Sequence, residues 1–483
     1  MLLSCFNNMT AKRRVIYYLA DGAHADVLQE LLQQRHLPNI KRITEEGTYR
    51  IATTCFPSTT GPAYLPFLTG HFPGSMHITG IRWFDKAEFK RRRWWNKQAI
   101  RSYCGPEASL FNSDLPADKP TLLELLGRSY NVYNMITRGV PDAFDLGRKG
   151  KSLAYLRAHF LGRNHPVDQT GHARIMDMLH KGNDLDFLFA VFPSVDWDSH
   201  YYDIRDNRTI QAYKIVDESI GELRAFLEGK GWWQNTLFLL GSDHGLTPTH
   251  THFDIAKWLN DVGLSTLSHP FIWKKDPAVS VSVSGNSFAS LHLLHHEGTH
   301  PLGGTELMER FGKNRLHQLV QQEAIDFVIY RSEQADELYV HNCHGRAMIR
   351  KDGKQYSYIP VTADPLCMNG QLQARDHRDA LEMTFGSMYP DSLVQAEQLF
   401  RSHRAGDIVV CAKKGYDLRG FWEIPAHRGS HGSLHYEHMR VPLIYNQQGW
   451  ASHPARTADL FSTILHWMRK SPQASEGNSL IAH

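Results

Sequence analysis

The chain has 483 residues, of which 42% are apolar and 21% are charged. This length exceeds the usual size of one domain, and the composition is ordinary for a soluble globular protein. The formal charge of +3 is small for this length. It argues against a stable nucleic-acid partner, because nucleic-acid-binding surfaces carry a much stronger basic bias. No apolar run approaches the roughly 18–20 residues that span a bilayer, so no transmembrane segment is predicted.

The six cysteines are scattered, and none belongs to a CxxC pair: Cys5, Cys55, Cys104, Cys343, Cys367 and Cys411. The first ten residues lack the basic region and the long apolar region of a secretory signal. Without such a signal, the cysteines are predicted to be free thiols in a reducing compartment. The predicted location of the protein is therefore the cytoplasm.

Continuous apolar runs along the chain predict strands that are buried on both faces. The first run, Arg14–Ala20, ends at Asp21-Gly22. Further strands are predicted at Tyr49–Thr54, Tyr130–Ile136, Asp186–Phe192, Asn235–Leu240 and Val441–Tyr445. Helical periodicity between them predicts helices over 25–34, 37–46, 121–127, 210–228 and 457–468. Strands that alternate with helices predict an α/β fold.

The pattern changes after about residue 278. Val279–Ser284 alternates with a period of two, as a half-buried strand does. A helix over 307–323 and several short strands with turns follow. These features predict an α+β subdomain at 279–428, inserted into a catalytic core. The core is predicted to comprise 12–278 and 429–470, with 1–11 and 471–483 as flexible termini.

Three carboxylates lie just past the ends of predicted strands: Asp21, Asp196 and Asp243. Because ligands bind beyond the carboxyl ends of strands in an open parallel sheet, these side chains are expected at one edge. His200 lies four residues after Asp196 and faces the same way on one helical turn, whereas Asp198 is expected to point elsewhere. His244 directly follows Asp243. Carboxylates and imidazoles without thiolates suit zinc, or harder ions such as Mn²⁺ and Mg²⁺.

The stretch Cys55-Phe-Pro-Ser-Thr-Thr-Gly-Pro62 lies between a predicted strand and the apolar run Ala63–Leu68. A hydroxyl group here is expected at a helix N-terminus, where free N–H groups and the helix dipole attract an anion. Such a hydroxyl is a weak nucleophile at pH 7 and needs a base or a metal to remove its proton. The combination predicts a two-metal hydrolase of phosphate esters, with Thr60 as nucleophile.

Five motifs, in order over nearly the whole chain, resemble those of the alkaline phosphatase superfamily. The closest resemblance is to its nucleotide pyrophosphatase/phosphodiesterase branch. The motifs are Tyr-Leu-Ala-Asp21-Gly, Phe-Pro-Ser-Thr-Thr60-Gly-Pro62 with Thr69-Gly70, Asp196-Trp-Asp-Ser-His200, Ser-Asp243-His244-Gly245 and Gly-Ser-His431-Gly432. The resemblance implies an alkaline-phosphatase-like, doubly wound and mostly parallel sheet flanked by helices.

The resemblance also implies two divalent metal ions, with Zn²⁺ favoured and Mn²⁺ or Mg²⁺ as alternatives. One ion would be held by Asp21, Thr60, Asp243 and His244, and the other by Asp196, His200 and His431. Two ions roughly 4 Å apart can hold the attacking and the leaving oxygen of an in-line displacement. Thr60 would form a covalent phosphothreonine, which water then cleaves.

The spacing of the Thr60 stretch separates it from a similar motif in sulfatases. Cys55-Phe-Pro-Ser looks like the sulfatase motif C-x-P-S-R, in which the Cys becomes formylglycine and Thr-Gly follows nine residues later. Here Thr69 lies nine residues after Thr60 but fourteen after Cys55, and residue 59 is Thr instead of Arg. Thr60 is therefore predicted to carry the chemistry. Ser58 and Thr59 are predicted to be capping hydroxyls.

Two positions depart from the pattern of the family. Many relatives carry an Asn in an Ile-Thr-Gly-Asn loop, where it contacts a nonbridging phosphate oxygen. Here Ile81 takes that place, followed by Arg82, and Pro62-Ala63 replaces the Pro-Asn of the phosphodiesterases. Arg82 is predicted to supply the missing donor, because arginine suits bidentate phosphate contacts. The alternative is an exposed arginine without a role.

The predicted partner is a small phosphate ester, with nucleotide-like compounds among the candidates. The specificity of the protein for this ester is assigned to the loop Lys90–Trp95 and to the insertion at 279–428. His295, His296 and His300 form either a further metal patch or, as the favoured alternative, surface histidines. Two alternatives to a hydrolase are a phosphotransferase or mutase with the same site, and a non-enzymatic binding protein that keeps the fold. No pattern indicates an oligomeric state.

Overall fold

The strands and helices come from a computed structural model that describes residues 12–92, 99–148, 164–270, 274, 276–420 and 426–481. In chain order the strands are β1 (Arg14–Ala20), β2 (Thr48–Thr53), β3 (Arg82–Phe84), β4 (Ile100–Ser102), β5 (Ser129–Val132), β6 (Phe187–Phe192), β7 (Thr236–Gly241), β8 (Thr247–His252), β9 (Thr266–Ser268), β10 (Val279–Ser284), β11 (Phe288–Leu293), β12 (Ile325–Arg331), β13 (Glu337–Asn342), β14 (Gly345–Asp352), β15 (Gln355–Pro360), β16 (Leu372–Ala374), β17 (Ile408–Ala412), β18 (Gly415–Asp417), β19 (Gly429–Ser430), β20 (Arg440–Tyr445) and β21 (Ala455–Arg456).

The α-helices of the described residues are α1 (Ala25–Gln33), α2 (Pro38–Glu46), α3 (Leu65–Thr69), α4 (Lys86–Arg92), α5 (Phe111–Asp114), α6 (Leu122–Leu125), α7 (His165–His180), α8 (Ser194–Tyr201), α9 (Asn207–Gly229), α10 (Ile255–Asp261), α11 (Gly304–Leu307), α12 (Lys313–Val320), α13 (His377–Thr384), α14 (Ser392–Leu399), α15 (Tyr436–Met439) and α16 (Asp459–Trp467). Short 3₁₀ turns lie at Pro62–Tyr64, Pro106–Leu110 and Trp233–Asn235, and a π turn lies at Met308–Gly312.

The strands that the apolar runs predict lie together in a seven-stranded sheet, in the order β21-β2-β20-β7-β1-β6-β5. Strand β1 pairs in parallel with β6 and β7, and β5 pairs in parallel with β6. Strand β20 is antiparallel to both of its neighbours. Every residue of β1, β6 and β7 is buried, which explains why their sequences are almost entirely apolar. The predicted α/β fold with a mostly parallel sheet is confirmed.

Helices cover both faces of this sheet, as two adjacent residues of β1 illustrate. The ring of Tyr17 packs against Phe67 of α3, with the ring centroids 5.2 Å apart. Tyr18 points to the opposite face, because side chains alternate along a strand. There its hydroxyl lies 3.3 Å from Nδ1 of His172 on α7. The sheet is therefore wound with helices on each side, as predicted.

A second sheet of nine strands has the order β16-β15-β14-β13-β12-β17-β11-β10-β9. Alternate side chains of β12 enter two separate apolar clusters. Phe327 and Ile329 pack in one cluster, and Val328 and Tyr330 pack in the other. Strand β9 belongs to this sheet, although it precedes the predicted boundary at residue 279. The division of the chain into core and insertion stays a prediction.

Three segments depart from the predicted pattern. Strand β5 ends at Val132 and does not reach Ile136, because Tyr133 has a φ of +59°, which is incompatible with a strand. The segment that takes the place of the Ile-Thr-Gly-Asn loop runs into a strand, because Arg82–Phe84 forms β3, which pairs with β4. The helix predicted over 307–323 is interrupted by a π turn.

The C-terminal tail was predicted to be flexible, but its described part, 471–481, is bonded to the core. The amide of Glu476 donates to the carbonyl of Gly70 at 2.7 Å. The carboxylate of Glu476 accepts from the amide of Phe72 at 2.7 Å. These two bonds join the tail to the end of α3 and to Phe72, and the flexibility of the termini stays a prediction. Residues 1–11 and the last two residues lie outside the described part of the chain.

The cysteines are free thiols at all five described positions, as predicted, and Cys5 lies outside the described residues. Among the helices of the described chain, none combines the length and the apolar character that crossing a membrane requires.

Asp168 on α7 is a buried carboxyl group with a pH-dependent effect on stability. Burial raises its pKa to about 8, although the hydroxyl and amide of Ser194 lie against it and oppose the rise. Because this pKa exceeds the ordinary value of 3.8, the unfolded chain ionises first as the pH rises. The ionisation of this one group therefore lowers the free energy of unfolding between about pH 4 and pH 8, by at most about 1.4 kcal/mol for each pH unit.

We expect Asp168→Asn to remove this loss. Its melting temperature should exceed that of the wild type at pH 8, and the difference should shrink at pH 5. Asp177→Asn is the matched control, because Asp177 lies on the same helix with its side chain 62% exposed. A gain for Asp168→Asn that is equal at both pH values would contradict the expected titration.

Candidate active site

Three buried carboxylates lie at one edge of the seven-stranded sheet. Strands β7, β1 and β6 are adjacent and parallel, so their carboxyl ends lie side by side. Asp21 and Asp243 follow β1 and β7 within two residues. Asp196 lies in the first turn of α8, which begins two residues after β6. All three are less than 10% exposed. This edge is where an open parallel sheet binds its ligands.

Thr60 presents its hydroxyl to this edge. Its Oγ1 donates to Oδ1 of Asp21 at 3.2 Å and lies 3.0 Å from Nε2 of His244. Between Ala52 and Gly70, every residue except Thr60 is buried. Thr60 is therefore the only residue of this segment that is partly open to solvent. The chain brings together the predicted nucleophile and two of its predicted partners.

Two glycines permit the close approach of backbone and side chains at the site. Gly61 has a φ of +89° and turns the chain directly after Thr60. Gly22 has a φ of +67°, and a Cβ atom there would lie 2.8 Å from Oδ1 of Asp196. A larger residue at either position would strain the backbone, and at position 22 it would also displace a carboxylate.

The turn after Thr60 is shorter than the apolar run predicts. A 3₁₀ turn at Pro62–Tyr64 precedes α3, which has five residues. Ser58 donates instead to the carbonyl of Ser433 at 2.8 Å, and Oγ1 of Thr59 has no hydrogen-bond partner among the described residues. Neither hydroxyl caps the turn, because Gly61 occupies the cap position. The predicted capping roles are wrong.

Three histidines are oriented by backbone carbonyl groups. The Nδ1 atoms lie 2.7 Å from the Gly429 carbonyl for His200, 2.9 Å from the Ser58 carbonyl for His431 and 3.1 Å from the Gly245 carbonyl for His244. A carbonyl oxygen only accepts hydrogen bonds, so each ring donates through Nδ1 and keeps a lone pair on Nε2. This is the tautomer in which a histidine binds a metal through Nε2.

Two groups of three side chains each bring their potential ligand atoms within 4.8 Å of one another. They are Asp196, His200 and His431, and Asp21, Asp196 and His244. Asp243 adjoins the second group, since its Oδ2 lies 3.4 Å from Nε2 of His244. The rings of His244 and His431 stack at 3.7 Å. The two groups are therefore neighbours, and Asp196 belongs to both of them.

The cluster concentrates charge in a buried place. Burial raises the pKa of Asp21 well above its ordinary value, and the carboxylates of Asp243 and Asp196 add to the rise. Burial also raises the pKa of Asp243. Burial works in the same direction on Asp196, but the imidazoles of His200 and His244 outweigh it and hold that pKa low. Acidic groups that repel one another in this way favour a cation between them.

The donor set fits divalent ions. Oδ1 of Asp196 and Oδ2 of Asp243 are buried, and within the described chain neither has a hydrogen-bond donor. A buried anionic oxygen without a partner is costly. These oxygens and the Nε2 lone pairs are the ligands that zinc and related ions use. The residues therefore fit two neighbouring metal ions that share the vicinity of Asp196.

Two further side chains lie at the site without belonging to any motif. Tyr64 donates its hydroxyl to Oδ2 of Asp21 at 2.8 Å. Its position one helical turn after Thr60 could have indicated this contact. The half-buried ring of His427 lies 4.5 Å from that of His200, and its Nδ1 lies 3.0 Å from Nδ2 of Asn286. No spacing in the sequence links His427 to His200 or to Asn286.

Arg82 lies on β3, where its Nε donates to Oγ of Ser102 at 3.4 Å. Its amide donates to Oγ of Ser284 at 3.3 Å. The predicted contact of its guanidinium with phosphate stays a prediction. Of the loop Lys90–Trp95, residues 93–95 lie outside the described part of the chain.

The histidines of the second half of the chain divide between surface and interior. His295 and His300 are exposed, as predicted. His296 is buried, with Nε2 3.5 Å from Nζ of Lys86, so its predicted surface position is wrong. Among the described residues, no group of potential metal ligands includes these three side chains.

Similar proteins are found among solved structures. An inactive variant of murine ectonucleotide pyrophosphatase/phosphodiesterase 5 in complex with AMP has 12% identity, a TM-score of 0.57 and 97% coverage of both chains. The human protein of the same name has 12% identity, a TM-score of 0.58 and coverage of 96% of this chain and 97% of that chain. At these identities the similarity shows the fold.

Phosphonoacetate hydrolase from Sinorhizobium meliloti 1021, in complex with phosphonoacetate, is also similar in fold. It has 16% identity, a TM-score of 0.58 and coverage of 95% of this chain and 96% of that chain. A search of curated proteins finds no significant match.

The family model described as type I phosphodiesterase / nucleotide pyrophosphatase matches residues 15–434. The matched range begins in β1 and ends just after His431. It therefore includes every strand end and loop that contributes to the cluster. Because the match spans most of its length, the chain belongs to the type I phosphodiesterase / nucleotide pyrophosphatase family of the alkaline phosphatase superfamily, a family of phosphoric ester hydrolases.

Proposed function

We propose that the protein is a metal-dependent hydrolase in which Thr60 attacks phosphorus and forms a covalent phosphothreonine. One observation carries the proposal: the hydroxyl of Thr60, a partly exposed residue, lies within 3.2 Å of Asp21 and His244, beside two candidate metal groups. The variant of the murine relative is described as inactive and carries a threonine-to-alanine change, which supports a threonine as the reacting group.

We assign two divalent ions to the cluster, with Zn²⁺ favoured because the set combines imidazoles with carboxylates. The first ion is assigned to Asp21, Thr60, Asp243 and His244, and the second to Asp196, His200 and His431. Asp196 also adjoins the first set, because its ligand atom lies within 4.8 Å of those of Asp21 and His244. Bound there, the ions would lower the pKa of the nucleophile and neutralise charge on the leaving oxygen.

The side chains around Thr60 orient the reacting hydroxyl. Tyr64 engages Oδ2 of Asp21, which leaves Oδ1 to accept the hydrogen of Thr60. This pair of bonds points the lone pairs of Oγ1 away from Asp21. The carbonyl groups behind His200 and His431 fix both rings with Nε2 toward the cluster. The nucleophile and its surroundings are thus arranged before substrate binds.

We propose a small phosphate ester as substrate, with nucleotide-like esters among the candidates. The complexes of two similar structures with AMP and with phosphonoacetate support a small ligand that carries a phosphorus centre. A cytoplasmic location is a further proposal, which rests on the sequence alone.

The proposal is tested with metal-stripped protein and the nitrophenyl esters of phosphate, as monoester and as diester. We expect nitrophenol release only after Zn²⁺, Mn²⁺ or Mg²⁺ is restored. Product analysis in the presence of an added alcohol separates hydrolysis from transfer to that alcohol. Protein that binds two ions but turns over neither ester would support a binding role and oppose the proposed activity.

Arg82 is the proposed donor to a nonbridging phosphate oxygen. We expect Arg82→Ala to lower kcat/KM by about 10- to 100-fold, since hydrogen bonds to charged groups contribute roughly 1.5–3 kcal/mol. Arg82→Lys keeps the charge but not the paired donors, so it should recover only part of the loss. An unchanged kcat/KM for Arg82→Ala would show that Arg82 does not donate to the phosphate.

A further inference from the structure

Helix α8 supplies two of the three side chains assigned to the second ion. Asp196 and His200 lie four residues apart on this eight-residue helix, with Nε2 of His200 3.3 Å from Oδ1 of Asp196. A helix this short is marginal by itself, so its position depends on contacts with the rest of the protein. Those contacts decide how well the two side chains are placed.

Asp198 anchors α8 from the side that faces away from the cluster. Nδ2 of Asn164 donates to its Oδ1 at 2.6 Å. Nε2 of His165 lies 2.7 Å from its Oδ2. Asp198 is 2% exposed, and both of its oxygens are engaged. As predicted, Asp198 points away from the metal ligands.

The two partners of Asp198 lie at the start of α7. Asn164 immediately precedes this helix, and His165 is its first residue. The start of a sixteen-residue helix therefore holds the short α8 in place through one buried carboxylate. Nε2 of His165 also lies 3.2 Å from the carbonyl of Arg208 on α9, which ties a third helix to the same point.

We propose that Asn164, His165 and Asp198 are positioning residues that set the affinity of the ion held by Asp196, His200 and His431. They act on this ion much more than on its neighbour, because α8 carries two of its three ligands but only Asp196 of the side chains around the neighbouring ion. The inference rests on the proposed two-metal site. Side chains behind metal ligands typically change metal affinity by about 10- to 100-fold when they are removed.

The test measures Zn²⁺ affinity of the full chain by competition with a chromophoric chelator. We expect two binding steps for the wild type. Asp198→Ala should weaken one step by about 10- to 100-fold and the other by no more than about threefold. Asn164→Ala removes a single hydrogen bond, so it should give a smaller loss in the same step. It also serves as the readout if Asp198→Ala does not fold.

Glu222→Gln is the matched control. Nε2 of His172 on α7 lies 3.0 Å from the carboxylate of Glu222, so this change loosens α7 elsewhere along its length. Both Zn²⁺ affinities should stay unchanged. A double-mutant cycle with His200→Ala assigns the affected step, since Asp198→Ala should have little further effect once that ligand is gone.

Each result bears on the proposal. Equal weakening of both steps, the same weakening in Glu222→Gln, or a persistent effect in the His200→Ala background would overturn it. A wild type that binds two ions, with Asp198→Ala and Asn164→Ala binding equally well, would overturn the positioning role and leave the proposed function standing. A wild type that binds no ion would overturn both.

Discussion

Replacing Thr60 with alanine is expected to lower kcat by roughly 10⁴-fold or more, as the loss of a catalytic nucleophile does. The change removes the hydroxyl of the only partly exposed residue between Ala52 and Gly70. It removes one hydrogen bond to Asp21 and leaves the other carboxylates and the imidazoles in place. The stability of the fold should therefore change by only about 1 kcal/mol.

Two matched variants separate the loss of the nucleophile from general damage. Thr60→Ser keeps a hydroxyl at the same position and should retain much of the activity. Thr59→Val removes the neighbouring hydroxyl, for which the described residues offer no hydrogen-bond partner, and preserves the shape of the side chain. It should leave kcat close to that of the wild type.

The covalent intermediate supplies a second readout. Acid quenching during turnover should trap a phosphorylated protein in the wild type and none in Thr60→Ala. Mass spectrometry of the tryptic peptides should place the group on Thr60. If Thr60→Ala kept a substantial fraction of the wild-type rate, water would have to attack the substrate directly and the proposed intermediate would be excluded.

The central sheet could be predicted because its strands are buried on both faces. Burial on both sides selects unbroken apolar runs, as in β1 and β6, and such runs are visible without knowledge of their neighbours. The position of the site follows from the same fact. A carboxylate directly after each of several parallel strands lies at one edge of the sheet, so Asp21 and Asp243 could be placed together.

The second sheet could not be assembled in the same way. Its pairings join distant segments, as where β12 pairs with β17, and no local pattern specifies such a partner. The end of β5 depends on the positive φ of Tyr133, which composition does not reveal. The tail at 471–481 is bonded through residues such as Glu476, Asn478 and Leu480, and a polar segment without periodicity gives no sign of these bonds.

The motifs identified the residues of the cluster but not the contacts that orient them. The partners of His200 and His431 are backbone carbonyls, which every residue type possesses. The identities of the residues that supply these carbonyls therefore give no sign of the contacts. The contacts of Asp198 could not be predicted for a different reason. Its partners are the side chains of Asn164 and His165, which come from a segment that no motif includes.

Asp196→Ala is expected to remove both metal ions, whereas His200→Ala should remove one. The reason is geometric: Asp196 offers a ligand atom to both three-residue groups, and His200 offers one to a single group. Loss of both ions should lower the rate on the order of 10³-fold or more, since each ion contributes several kcal/mol to charge stabilisation in the transition state. Metal analysis after dialysis against Zn²⁺ measures the stoichiometry directly.

Asp217→Ala is the control for the loss of a buried carboxylate, because Asp217 accepts from the amide of Ile40 at 2.7 Å, outside the cluster. It should destabilise the fold yet keep two ions. Thermal unfolding gives an independent measurement, since an ion that binds only the folded state raises the melting temperature. Added Zn²⁺ should therefore stabilise the wild type and Asp217→Ala, but not Asp196→Ala. A full stoichiometry of two ions in Asp196→Ala would show that this carboxylate serves neither group, and the shared position of Asp196 would then have no role in metal binding.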